Sequence, residues 1–187
     1  MYKMVNNKEK IIKTLFEKPE YHFHIRELAR ATKLHPNTVI KITDELAKEE
    51  IIIKKQYKSL VEVFCRLDSN NYKRKKQLFN IAAIQESGLI DKLIDFYNHP
   101  QAIVLFGSFF RGEDWSDGDV DLAVVNSSEK VPPLSEYEKK LKRKIHLLAF
   151  EYKDISEEFY NNLINGLVLY GFIKDERLSR IGRRRKS

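Results

Sequence analysis

The stretch Leu105–Val125 reads "LFGSFFRGEDWSDGDVDLAVV". Two apolar runs bracket a Gly-Ser step and five carboxylates. The first run, "QAIVLFG", is continuously apolar, as a buried strand should be, and it stops at Gly107-Ser108. A strand that ends on glycine and serine and turns into a helix gathers backbone N–H groups and a hydroxyl, an arrangement suited to phosphate oxygens. The second run, "VDLAVV", is a strand opened by Asp119-Val120-Asp121. Strand side chains alternate, so Asp119 and Asp121 share one face and can share a divalent cation, while Val120 points into the core. Two like charges so placed beside an apolar strand repel unless a cation or a basic group joins them. Glu113, Asp114 and Asp117 are read differently, as a solvated acidic loop.

Working outward, "LSEYEKKLKRK" is a helix leading to a further strand, "KIHLLAFE". Upstream, Asn71–Asn98 is helical and breaks at Gly88, with Leu78, Ile81, Ala82 and Ile84 as its expected apolar stripe. Its "YKRKK" opening fits a phosphate contact and a soluble helix end equally well.

The first 70 residues have a different pattern. Ile11, Ile12, Leu15 and Phe16 recur at helical spacing until Pro19. "IRELARATKL" forms a brief second helix, and Pro36 begins a third that reaches about Glu49, with Val39, Ile42 and Leu46 inward. Two β-type runs around Tyr57–Ser59 follow as a hairpin. Three helices and a hairpin in this order resemble the winged helix-turn-helix modules of many prokaryotic transcription regulators, over residues 7–68. The resemblance implies binding to double-stranded DNA, with the third helix in the major groove. Asn37, Thr38 and Lys41 would then lie near base edges, and Lys54, Lys55 and Lys58 near phosphates.

Gly107-Ser108, ten residues, and Asp119-Val120-Asp121 within apolar strands are similar to the signature of the DNA polymerase beta superfamily of nucleotidyltransferases. The minimal prokaryotic members are the nearest in pattern, over residues 88–172. That resemblance implies a small mixed sheet with flanking helices, in which Gly107, Ser108 and Arg111 bind an NTP. It also implies Mg²⁺ or Mn²⁺ on Asp119 and Asp121, bridging the phosphates for in-line attack. The family's third carboxylate falls at His146, a residue that can act as a base or ligate a softer metal but brings no negative charge. Glu151 lies at the far end of the same strand. "NLINGLVLYG" looks like the family's last helix.

The expected architecture is therefore α+β. It comprises a winged helix at 1–70, a connector helix at 71–87, a nucleotidyltransferase-like domain at 88–176 and a basic tail at 177–187. Charge divides along the same lines: net +4 over 1–70, +2 over 71–98, −5 over 99–176 and +6 over 177–187. Basic ends suit a polyanion and the acidic middle a cation. The chain contains one cysteine, Cys65, so no internal disulfide is expected. No apolar stretch approaches the ~20 residues of a membrane helix, and the opening residues lack a secretory pattern. A cytoplasmic protein without a membrane partner is expected. A homodimer is the usual reader of a two-fold operator.

Three functions fit these residues. One is a DNA-binding regulator with a nucleotide-binding domain degenerate in catalysis, as in predicted archaeal regulators that join the two modules. Another is an active nucleotidyltransferase. The third is a toxin–antitoxin component, since minimal nucleotidyltransferases often pair with a helical HEPN partner.

Overall fold

The computed structural model describes residues 6–58, 60–128, 130–151 and 155–174. The basic run at 177–187 lies outside them.

Helix α1 (Asn7–Glu17) starts where the Asn6 side chain accepts the Lys8 N–H, and it buries Ile11, Ile12, Leu15 and Phe16. After Pro19 the chain forms β1 (Phe23–His24) and α2 (Ile25–Thr32). Lys33, with φ +56°, closes α2 in the left-handed conformation. Helix α3 (Pro36–Lys48) begins with proline in its first turn and buries Val39, Ile42, Thr43 and Leu46. Strands β2 (Ile52–Tyr57) and β3 (Leu60–Cys65) pair antiparallel, and β1 adds to β3, giving the order β1-β3-β2. The three helices and this sheet enclose one apolar core, to which Tyr72 also belongs.

Helix α4 (Asn70–Ser87) differs from its expected stripe. Its buried positions are Tyr72, Lys76, Asn80, Ile84 and Ser87, whereas Leu78 is 66% exposed. The buried face follows the i, i+4 progression from Tyr72 to Ile84, and two polar residues in phase with it are carried inside. Tyr72 packs into the first core, with its ring edge-on to Phe16, and Ile84 packs into the second.

Gly88 separates α4 from α5 (Leu89–Phe96). There follow β4 (Ala102–Phe106), α6 (Gly107–Arg111), β5 (Asp119–Val125), α7 (Ser135–Leu141), β6 (Lys144–Phe150), α8 (Glu157–Ile164) and β7 (Leu167–Gly171). The sheet order is β6-β5-β4-β7, antiparallel except for the parallel pair β5/β6. Such a parallel pair needs a crossover connection, which α7 supplies.

Alternation sorts the two central strands into two layers. Ile103, Leu105, Val120, Leu122 and Val124 face a core shared with Leu89, Leu93 and Phe109. Ala102, Val104, Ala123 and Val125 face Leu163 and Phe159 of α8. The segment "NLINGLVLYG" is not one helix. α8 stops at Ile164, and Leu167–Gly171 becomes an edge strand paired to β4. A short apolar run of leucine, valine and tyrosine beyond a glycine suits a strand as well as a helix, and the open edge of β4 decides for the strand. Among the described residues no helix is long and apolar enough to cross a membrane.

Candidate nucleotide site

The site forms where β4 ends and β5 and β6 begin. Phe106, the last residue of β4, is paired with Asp121 of β5, and Asp121 is in turn opposite His146 of β6. Register alone thus brings the Gly-Ser step, the second aspartate and the histidine side by side.

Gly107 has φ +75°, the left-handed region that favours glycine. A Cβ on it would lie 2.1 Å from Asp121 Oδ2, so the backbone is pressed against the carboxylate. Ser108 is half-buried at the start of the five-residue helix α6. Asp119 is exposed, Asp121 is half-buried, and Val120 between them is buried, as alternation requires. His146 Nδ1 lies 3.2 Å from Asp121 Oδ1, with the ring 56% exposed. Among the described residues no three of the His, Cys, Asp and Glu side chains are grouped closely enough to hold a metal ion. The donor set nonetheless suits a divalent cation in kind. Two carboxylates on one strand face are ligands for Mg²⁺, and an adjacent imidazole is better suited to Mn²⁺ or softer ions.

Arg111 is turned to Glu113, whose Oε2 accepts its Nε–H at 2.9 Å. The other oxygen of Glu113 accepts Lys73 Nζ at 2.8 Å. The hydrogen bonds from Lys73 and then Arg111 hold the Glu113 carboxyl below its ordinary range.

Asp114 corrects the reading of an acidic solvated loop. Its side chain has no exposed surface, and its Oδ2 is 3.0 Å from Lys76 Nζ and 3.3 Å from Arg143 Nη2. Oδ1 accepts Asn80 Nδ2 at 2.7 Å. Asn80 also donates to the Phe109 carbonyl, and Lys76 to Asn80 Oδ1. The Lys76 ammonium lies within 5.9 Å of the ring centroids of Phe16, Phe79 and Phe109. Burial pulls the Lys76 pKa below the usual lysine range, against the pull of Asp114. "YKRKK" therefore docks in part: Lys76 is internal and Lys73 is paired with Glu113. The signal that could have revealed this cluster is the four-residue spacing of Tyr72, Lys76, Asn80 and Ile84.

On the N-terminal half, Asn37 and Lys41 are exposed on α3 and Thr38 is half-buried, with Ile40 also outward. Lys54 is paired with Asp44 at 2.6 Å, so part of its charge is neutralised locally. Lys55 is exposed with its ammonium 5.4 Å from the Phe64 ring centroid, and Lys58 sits at the hairpin turn with φ +46°.

Residues 88–175 match the family model described as Polymerase beta, Nucleotidyltransferase. A search of the curated proteins gives no match. The match covers the mixed sheet, the Gly-Ser step and both aspartates. Over residues 88–175 the chain carries a nucleotidyltransferase-fold domain of the polymerase beta kind.

Proposed function

We propose that the chain is a DNA-binding regulator whose nucleotidyltransferase-fold domain binds an NTP together with a divalent cation. The observation that carries the nucleotide half is the contact of Gly107 with the Asp121 carboxylate, with Ser108 beside them at the end of β4 and the start of β5. Gly107 lets the Asp121 carboxylate sit against the turn that carries Ser108, and the Ser108 hydroxyl donates to a phosphate. Asp119 and Asp121 would hold the cation, Mg²⁺ or Mn²⁺, which supplies charge neutralisation of the phosphates when bound. Arg111 is available to the phosphates only by leaving Glu113.

The DNA half is supported by the element order α1-β1-α2-α3-β2-β3 and by exposed Asn37, Lys41, Lys55 and Lys58 on α3 and the hairpin. Calorimetric titration of NTPs with and without Mg²⁺ or Mn²⁺ tests the first half. Binding that ignores the metal would refute it. Mobility shift of duplex DNA across a salt series tests the second, and affinity should fall steeply with salt.

A second reading, active transfer of NMP to a hydroxyl, is favoured by one feature. The His146 ring is in register with Asp121 and exposed, where it can accept the proton of an acceptor hydroxyl. Incubation with labelled NTPs, Mg²⁺ and candidate acceptors separates the readings.

A further inference from the structure

We propose that the segment Glu17–Glu20 of the N-terminal half is a positioning part of the nucleotide site. It holds the approaches to both strands that carry Asp119, Asp121 and His146. The inference rests on the nucleotide-binding reading for one of its two readouts.

The loop from Gly112 to Gly118 joins α6, which carries Ser108, to Asp119 at the start of β5. Two anchors fix its middle, and each has partners ahead of the segment that matches the family: Lys76 and Asn80 for one, Glu20 for the other. One is the buried Asp114, held by Lys76 and Asn80 of α4 and by Arg143. The other is Ser116, whose N–H donates to Glu20 Oε2 at 3.3 Å and whose hydroxyl donates to Glu20 Oε1. Asp119 follows Ser116 by three residues, so a displacement at Ser116 has only Asp117 and Gly118 in which to dissipate.

The same N-terminal segment grips the approach to β6. Lys142 Nζ lies 2.7 Å from the Glu17 carboxylate, and Arg143 Nη2 donates to the Glu17 carbonyl at 3.4 Å. Lys142 and Arg143 immediately precede β6, four and three residues ahead of His146. Arg143 thus ties three things together: the Glu17 backbone, Asp114 in the loop, and the start of the strand bearing His146.

Stability alone does not account for this arrangement. A buried carboxylate between two cations is costly to desolvate, and apolar side chains of the same size hold a fold at least as well. Its distinctive property is directional. The fork of Arg143 and the two donors of Asn80 accept one loop geometry. Glu20 behaves in keeping: burial raises its pKa, but the hydrogen bonds from Ser116 and the nearby charge of Arg143 outweigh that and leave it below the ordinary range. The carboxylate is therefore charged and bonded at neutral pH.

The chain contains a single tryptophan, Trp115, which stands between Asp114 and Ser116 and is 53% exposed. Its fluorescence reports the loop directly. In the full chain, Glu20→Ala should raise acrylamide quenching of Trp115. It should also weaken NTP–metal binding roughly 5-fold or more, the lower range for coupled sites. The melting temperature should stay close to that of the wild type, because Glu20 is exposed. Glu20→Gln keeps an oxygen facing the Ser116 N–H and should restore most of both readouts.

Unchanged quenching in Glu20→Ala overturns the proposal, as does looser quenching with unchanged affinity. A Glu20→Gln variant as impaired as Glu20→Ala would assign the effect to charge and also overturn it. If the wild type binds no NTP, the nucleotide reading fails, and the Trp115 readout alone decides whether Glu20 holds the loop.

Discussion

Gly107 and Asp121 are in contact so close that no other amino acid fits at position 107 without moving the carboxylate. Gly107→Ala would place a methyl group 2.1 Å from Asp121 Oδ2 in a backbone conformation, φ +75°, that costs an L-residue about 1 kcal/mol or more. We expect a small loss of stability and at least a tenfold loss of metal-dependent NTP binding, about 1.4 kcal/mol. Ser108→Ala should cost ~1.5–3 kcal/mol of binding, the usual range for a hydrogen bond to a charged group. Asp121→Asn should abolish the dependence on metal, because the amide keeps the shape and removes the charge. Calorimetry of the three variants beside the wild type checks all of these.

His146→Asp exchanges a nitrogen donor for an oxygen donor opposite Asp121. Hard cations gain from that exchange and softer ones lose. The ratio of Mn²⁺ to Mg²⁺ affinity should therefore fall in the variant, and any transfer activity should rise. Titration of each metal into both proteins gives the ratio. An unchanged ratio would remove His146 from the metal's surroundings.

The Asp114 cluster predicts an order of stabilities. Asp114→Ala strands Lys76 and Arg143 in the interior and should cost about 3–5 kcal/mol. Lys76→Met should cost clearly less, since Arg143 and Asn80 still satisfy the carboxylate. Urea denaturation of both variants measures the difference, and equal losses would contradict the shared role of Arg143.

Acid should release the loop late. The folded pKa values of Glu113 and Glu20 are both depressed. Their contribution is complete above the ordinary Glu value of about 4.3 and is lost as pH falls through the lower folded values. Trp115 emission should hold steady from neutrality through that ordinary value and change only below it. A fluorescence titration reads the midpoint, and a midpoint above the ordinary value would refute the assignment.

Much of this site is legible from residue types alone. The continuous apolar run before Gly107 can only be a buried strand in so polar a chain, and the alternation of Asp119, Val120 and Asp121 dictates which two share a face. The order of elements also suffices to bring His146 near Asp121. Asp114 is another matter. Its neighbours Glu113 and Asp117 are solvated-loop residues by type, and nothing local distinguishes it. Its burial depends on Lys76 and Arg143, 38 and 29 positions away. The misjudged faces of α4 have the same cause: Leu78 is more apolar than Lys76, yet the two cores and Asp114 meet the face of Tyr72, Lys76, Asn80 and Ile84 and leave Leu78 exposed. In Leu167–Tyr170, four apolar residues have no period long enough to separate strand from helix, and the open edge of β4 settles the matter.

Helix α4 has one further consequence. Its 18 residues span about 27 Å, with Tyr72 lodged among the residues around Phe16 and Ile84 among those around Leu105. Neither half can lose its packing without baring part of a rod that the other half needs, so heat or urea should take the molecule apart in one cooperative step, and a protease should find no early cut between residues 72 and 84.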